Sequence, residues 1–314
     1  MKYIKKVLKV AIMIIIIILF ILILDYIRLN LSYLIHKKEY IEAFDVQGNQ
    51  SNYVPQGLAY SEKYQIVLQT SYNSKGKVSK LYVTGFKTGK LLKELDLLKI
   101  DGTNNTNHVG GIATDDETVW ITSDYEVNEY SLEEIVNTNE NSIQPNKTET
   151  LFTRGDFSYY NDGVLWIGDF FLNPFYPVPD NNPLLLGYST NNLDYSTPSY
   201  VISLPKMVQG MTITSDNHFI FTSSFTNLIH SKLSIYKNVL EENYEYYELN
   251  GQQIPYYHFD KKNLVQKINL PPMAEGLFEK DNHLYILFEN SSNTYFYAFP
   301  KMKKVIQYDI TKSK

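Results

Sequence analysis

The stretch Met273–Glu289, MAEGLFEKDNHLYILFE, decides the fold. It opens as an extended run around Gly276, turns at Lys280-Asp281-Asn282 and returns as a strand, Leu284-Tyr285-Ile286-Leu287-Phe288. The same pattern occurs as Val208–Phe225 (VQGMTITSDNHFIFTSSF), Val54–Tyr72 (VPQGLAYSEKYQIVLQTSY) and Val109–Asp124 (VGGIATDDETVWITSD). Phe157–Phe170 (FSYYNDGVLWIGDF) is a shorter copy with Ser158 in the glycine's place. Anchored on Gly57, Gly111, Ser158, Gly210 and Gly276, the copies lie 54, 47, 52 and 66 residues apart. Units of this length, built from short strands and turns, point to propeller blades rather than helical solenoids.

A further strand leads into each copy: Tyr40–Val46, Leu91–Leu97, Glu149–Thr153, Val201–Leu204 and Val265–Leu270. Another follows each: Leu81–Phe86, Val127–Leu132, Leu184–Tyr188, Leu233–Tyr236 and Tyr295–Phe299. Thr88-Gly89 and Asn191-Asn192 supply turn residues between them. The chain is therefore expected to be all-β, a five-bladed β-propeller of four-stranded antiparallel blades over residues 40–314. Tyr40–Val46 and Lys304–Ile310 can both claim the outer strand of the last blade, and such a clasp would close the ring. The 27 Tyr and 16 Phe suit strands. Asn137–Lys147 reads as a solvated loop. Glu241–Phe259, with Asn250-Gly251 at its centre, reads as an extra hairpin projecting from the fourth blade. Phe170–Pro183, rich in Pro and aromatics, reads as a candidate lid or rim.

The N-terminus speaks to compartment. Residues 1–6 form a basic tail, and residues 7–27 contain the unbroken apolar run Val10–Leu24 (VAIMIIIIILFILIL). With Val7, Leu8, Tyr26 and Ile27 the stretch reaches the roughly 20 residues needed to span hydrocarbon, and Lys9 can snorkel. No small-x-small cleavage site follows in Asp25–Asn30. The expectation is an uncleaved signal anchor at residues 7–27, a juxtamembrane segment at 28–39 and an extracytoplasmic propeller. Lys2, Lys5, Lys6 and Lys9 precede the span and only Arg28 follows closely, so the N-terminus stays in the cytoplasm. Beyond residue 36 the chain holds 24 basic and 33 acidic residues, a formal charge of −9. That balance argues against nucleic acid and against a polybasic contact with anionic lipid. Cysteine is absent, and a core of this size does not need disulfides.

The innermost strand of a blade lines the axis, where the repeated glycine relieves crowding. Gln56, Gln209 and Glu275 precede that glycine in three copies; in the other two, Gly110 and Phe157 hold that place, and His108 and Ser158 lie within two positions of them. Together the five polar residues are expected to form a polar opening on the axis that binds a small ligand or a divalent cation. The same groups would also suffice as a hydrogen-bonded ring. The second strand of each copy ends in polar residues, among them Asp124, Asp169 and Glu289, which are expected at the other end of the blades. His218 and His283 share one turn position and read as an echo of the repeat. No metal-ligand spacing, phosphate loop or nucleophile elbow is present.

The VPQGL, VGGIA, VQGM and PPMAEGL pattern resembles that of bacterial secreted or membrane-anchored β-propeller proteins of uncharacterised function, over roughly residues 40–310. More distantly it resembles lactonase-like (gluconolactonase) propellers and seven-repeat surface propellers. The five-blade count and Glu275-Gly276-Leu277 are similar to the calcium-dependent apyrases, although Gln56 and Gln209 stand where that family would set carboxylates. The resemblance implies fold and leaves function open. Two functions follow as expectations. One is a ligand- or partner-binding module at the cell surface, for a small ligand, glycan or protein. The alternative is a metal-assisted hydrolase of lactonase or apyrase type using the axial site.

Overall fold

The computed structural model describes residues 2–170 and 183–313. Five antiparallel sheets surround one axis, and the chain is a five-bladed β-propeller with an N-terminal apolar helix. From the axis outward, blade 1 holds Tyr53–Ser61, Ile66–Asn73, Lys80–Gly85 and Leu91–Leu97. Blade 2 holds Gly111–Thr114, Thr118–Ser123, Glu126–Ser131 and Lys147–Thr150. Blade 3 holds Phe157–Asn161, Val164–Gly168, Leu184–Ser189 and Tyr200–Ser203. Blade 4 holds Val208–Ile213, Phe219–Ser223, Ser231–Tyr236 and Leu264–Leu270. Blade 5 holds Ala274–Lys280, His283–Phe288, Lys304–Asp309 and, outermost, Tyr40–Asp45.

The core is five layers, one between each pair of neighbouring blades, and strand alternation builds them. In Thr118–Ser123, Val119 and Ile121 face blade 1 while Trp120 faces blade 3. In Val164–Gly168, Leu165 and Ile167 face blade 2 while Trp166 faces blade 4. In His283–Phe288, Leu284, Ile286 and Phe288 pack on blade 4, and Tyr285 and Leu287 pack on blade 1. A sheet buried on both faces needs apolar residues in consecutive positions, which is why these strands read as unbroken apolar runs. The tryptophans carry the heaviest single burdens: Trp120 stacks on Tyr160 at 5.7 Å and Trp166 on Tyr200 at 5.7 Å.

At the axis the strands are packed backbone to backbone. A Cβ built on Gly276 would lie 2.6 Å from the Leu58 nitrogen and 2.8 Å from the Gln56 oxygen. One on Gly210 would lie 2.9 Å from the Glu275 oxygen. These neighbours are main chain of the adjacent blade and cannot rotate away, so only glycine permits the approach.

The ring closes by joining the chain's ends, and both competing segments are used. Lys304–Asp309 is the third strand of blade 5, and Tyr40–Asp45 pairs antiparallel outside it, Tyr40 opposite Tyr308 and Asp45 opposite Lys304. Lys304 Nζ lies 2.8 Å from Asp45 Oδ1 at that seam. The strand expected at Tyr295–Phe299 is absent; residues Asn293–Tyr295 form a 3-10 turn within the connection instead. The hairpin Glu245–Leu249/Gln252–His258 does not extend blade 4. It pairs parallel with the outer strand of blade 3, Val201 opposite Tyr256, and so fastens blade 4's excursion onto its neighbour. Within it Tyr257 and Phe259 are buried, and Tyr244 and Tyr246 are exposed. The loop expected to be solvated also acts as a strap. Ser142–Ile143 adds to blade 1 in parallel with Asp96 and Leu97, and the short helix Leu132–Asn137 buries Leu132 and Ile135 between blades 1 and 2. Polar composition concealed both, because two apolar anchors suffice to hold a mostly polar strap.

The N-terminal helix, α1, runs unbroken from Lys2 to His36, and its Tyr3–Leu29 part is long and apolar enough to cross a membrane. Its last turns belong to the propeller: Leu29 is buried and Tyr33 packs on the layer between blades 4 and 5.

Replacing Gly276 with alanine should lower unfolding free energy by about 1–3 kcal/mol, the usual cost of overpacking a rigid site. Denaturant unfolding of the full chain in detergent measures it. A loss within error of zero would show that the axial backbones can separate.

Candidate functional site

In an antiparallel hairpin the end of the second strand returns to the start of the first. Ala274 therefore faces Phe288, Val208 faces Ser223 and Phe157 faces Gly168. The acids at the second-strand ends consequently lie at the same end of the blades as Gln56, Gln209 and Glu275, not at the opposite end. We refer to this end as the upper face.

Three of the five inner strands carry a bulge at the critical place. The register shifts between Pro55 and Leu58, between Val208 and Gly210, and between Ala274 and Leu277. A bulge inserts a residue and re-aims its side chain. Here the re-aimed residues are Gln56, Gln209 and Glu275, and their side chains meet above the axis. Gln209 Nε2 donates to Glu275 Oε1 at 2.8 Å. The Glu289 carboxyl lies within hydrogen-bonding reach of Glu275 and of Gln56, whose Nε2 donates to the Pro55 carbonyl at 2.9 Å. Tyr295 donates its hydroxyl to Glu289 Oε2 at 2.9 Å and is hydrogen-bonded to Tyr72. The Tyr72 ring packs against His108 in a tilted contact, with centroids 4.3 Å apart. Of the predicted five, four thus join one network, with His108 at its solvent-open edge. Ser158 lies deeper: it lines the constriction with Gly57, Gly111, Gly210 and Gly276, and its Oγ has no partner among the described residues. That constriction encloses about 10 Å³, at the lower limit for one water, so the axis is closed beneath the network.

The electrostatics follow from burial. Two carboxyls in contact cannot both ionise cheaply. Desolvation, joined by the Glu289 charge, pushes Glu275 well above the ordinary carboxylate range, against the opposing hydrogen bond from Gln209. Desolvation also raises Glu289 to about 7, while hydrogen bonds from Tyr295 and Gln56 hold it down. Burial thus favours retention of protons by this pair toward neutral pH, and the two carboxyls titrate as a unit. A second acidic group borders it. Asp169 is raised to about 7 by burial and by Asp156. Asp156 is raised by burial, and it accepts from the Phe170 N–H at 2.7 Å and lies 3.4 Å from the Arg154 guanidinium. Crowding by the walls holds His108 below the ordinary histidine value, with Asp124 opposing and Arg154 reinforcing.

Such a network can donate and accept hydrogen bonds, exchange its proton for a ligand's positive group, or pass a proton. Its donors do not fit a resident metal ion as they stand. Gln209 turns its N–H toward Glu275, burial disfavours charge on both glutamates, and among the described residues no three His, Asp or Glu side chains converge as ligands. Glu289, Tyr72, Tyr295 and Asp169 carry no motif that places them here; strand pairing alone signals Glu289, Asp169 and Tyr72, which stand at second-strand ends. Of the aromatic rim, residues 171–182 lie outside the described residues. A larger cavity of about 540 Å³ opens at the lower end between blades 4 and 5, beside the last residues of the chain. Its acid and imidazole, Asp216 and His218, are 3.2 Å apart, and Thr214 already donates to Asp216. It gathers no comparable cluster.

No family model matches the sequence, and no curated protein matches it. Several solved structures are similar in outline. A glutaminyl cyclase of Myxococcus xanthus has 9% identity and a TM-score of 0.48, covering 86% of this chain and 94% of its own. A PQQ-bound aldose sugar dehydrogenase of Streptomyces coelicolor has 12% identity and a TM-score of 0.49, covering 86% and 96%. A gluconolactonase of Xanthomonas campestris has 10% identity and a TM-score of 0.41, covering 80% and 86%. The fold itself rests on the five sheets described above.

The raised acids set a pH dependence. Between about 4.5, where free glutamate ionises, and about 7, the unfolded chain has released protons that the folded pair retains. Stability should therefore fall as pH rises through this window. The Glu289→Gln variant should show a smaller drop in Tm between pH 5 and pH 8 than the wild type. Equal drops would mean that the pair is already ionised in the folded state.

Proposed function

We propose that this chain is a membrane-anchored ligand-binding propeller, with α1 as an uncleaved anchor and the upper axial mouth as the binding site. The ligand is small and presents hydroxyl or ammonium donors. One observation carries this reading: the Glu275–Glu289 pair and the rings of Tyr72, Tyr295 and His108 converge at one mouth. Carboxylates that accept hydrogen bonds beside aromatic faces are the chemistry that holds sugars and ammonium groups. The retained proton makes the site adaptable, since a cationic group can replace it and a hydroxyl can bond to it.

The anchor reading draws support from Leu29 and Tyr33, which pack into the propeller. Cleavage within Asp25–Ser32 would detach the apolar run and cut into or beside these contacts. The lysines before the span favour a cytoplasmic N-terminus and an extracytoplasmic propeller. The metal-assisted hydrolase is the weaker reading, because Gln56 and Gln209 occupy two of the positions around Glu275 where a cation would want carboxylates.

Calorimetric titration of the full chain in detergent, with a panel of oligosaccharides, organic amines and Ca²⁺, tests the site. We expect an organic ligand to bind with a change in bound protons, visible as a dependence on buffer ionisation enthalpy. Glu275→Gln should weaken that ligand by about tenfold or more, as expected when a charge-assisted hydrogen bond is lost. No ligand in the panel, or affinities unchanged in Glu275→Gln and Gln209→Ala, would make the mouth structural. Binding of Ca²⁺ alone would favour the hydrolase.

A further inference from the structure

The direction in which α1 leaves the propeller follows from strand pairing. Lys304–Asp309 starts at the upper face, because it follows the upper connection 289–303, and it ends below. Its antiparallel partner Tyr40–Asp45 therefore starts at the lower end, Tyr40 opposite Tyr308. The last turns of α1 reach that lower end by running up against blades 4 and 5, where Leu29 is buried and Tyr33 packs. Higher on the helix, Arg28 Nη2 donates to the Leu228 carbonyl at 3.1 Å, and the Tyr26 ring lies 5.0 Å from Phe299. Leu228 and Phe299 both sit in connections of the upper face. Everything N-terminal to Tyr26, at about 1.5 Å of rise per residue, therefore projects above that face.

The side chains of this face match the position. Phe225, Leu228 and Ile229 of blade 4 and Phe296, Tyr297 and Phe299 of blade 5 are all exposed, Phe296 by 80%. They flank the helix at the level of Tyr26 and Arg28, the residue types that mark the end of a membrane span. The five tight turns that join inner to second strands at the lower end carry no exposed large apolar side chain among the described residues. An apolar patch of this kind in a soluble face would be a liability. Its continuity with the end of an apolar span identifies what covers it.

We infer that the upper face of the propeller lies on the surface of the bilayer that α1 spans, with the Phe225–Ile229 and Phe296–Phe299 connections seated in the lipid interface. This rests on α1 being retained as an anchor. The mouth above Glu275 and Glu289 then opens toward the headgroup layer, and the 295–297 connection joins the two: Tyr295 bonds Glu289, and Tyr297 lies 6.3 Å from Tyr295. Docking is apolar, so it should not depend on anionic lipid.

The chain has no cysteine, which allows single nitroxide labels. We would place them by Ile229→Cys, Phe296→Cys, Ser215→Cys, Glu117→Cys and Ile17→Cys in the full chain, in phosphatidylcholine nanodiscs. The ratio of relaxation by oxygen to relaxation by a water-soluble nickel chelate reports lipid contact. Ile17 should give the highest ratio, 229 and 296 a ratio several-fold above 215 and 117, with no change when anionic lipid is added. A lipid-exposed Ile17 together with 229 and 296 as aqueous as 215 and 117 would overturn the docked face alone. A label at Ile17 that is aqueous, or lost with a cleaved segment, would overturn the anchor and the docked face with it.

Discussion

Everything in this molecule depends on how closely five backbones approach one another at the axis. Five blades leave less central room than six or seven would, and the glycines let adjacent main chains come within van der Waals contact. The result is a closed axis, with too little space for a ligand to pass. Long polar side chains cannot occupy that level. The bulges at Gln56, Gln209 and Glu275 solve the problem by turning these side chains upward, above the constriction. The same packing that shuts the channel thus gathers the polar network at its mouth.

Burial and pairing then set the chemistry of that network. Glu275 contributes from an inner strand and Glu289 from just beyond the second strand of the same blade, so one hairpin supplies both carboxyls. Blades 1 and 4 supply the glutamines that hold them, and Tyr295 arrives from the connection that also carries Phe296 and Tyr297. The network is therefore tied to the closing blade, whose outer strand is the segment that follows α1. Helix, clasp and mouth form one mechanical unit between blades 4, 5 and 1.

Much of the fold was legible in the sequence because a repeated strand-turn-strand pattern leaves a periodic trace, and the glycine marks its axial phase. What escaped was whatever depended on pairing between segments far apart. Tyr40–Asp45 and Lys304–Asp309 have similar composition, and only their mutual register assigns one outside the other. The hairpin around Asn250-Gly251 was recognisable from its turn, yet its attachment to blade 3 is a parallel pairing that leaves no local mark. In the axial network, the place before the glycine marks Gln56, Gln209 and Glu275. Glu289 was placed at the wrong end, although antiparallel geometry alone requires a second strand to finish beside the start of the first. Tyr72 stands at the end of a second strand, so the same geometry places it at the mouth, and Tyr295 lies in a 3-10 turn where the sequence reads as strand.

The chemistry of the mouth turns on the proton that burial leads Glu275 and Glu289 to retain near neutral pH. Infrared difference spectroscopy between wild type and the Glu289→Gln variant tests this directly, because protonated and ionised carboxyls absorb in separate regions. At pH 7 the wild type should show a protonated-carboxyl band that shifts or disappears in the variant. A wild-type spectrum in which both glutamates are fully ionised at pH 7 would contradict it.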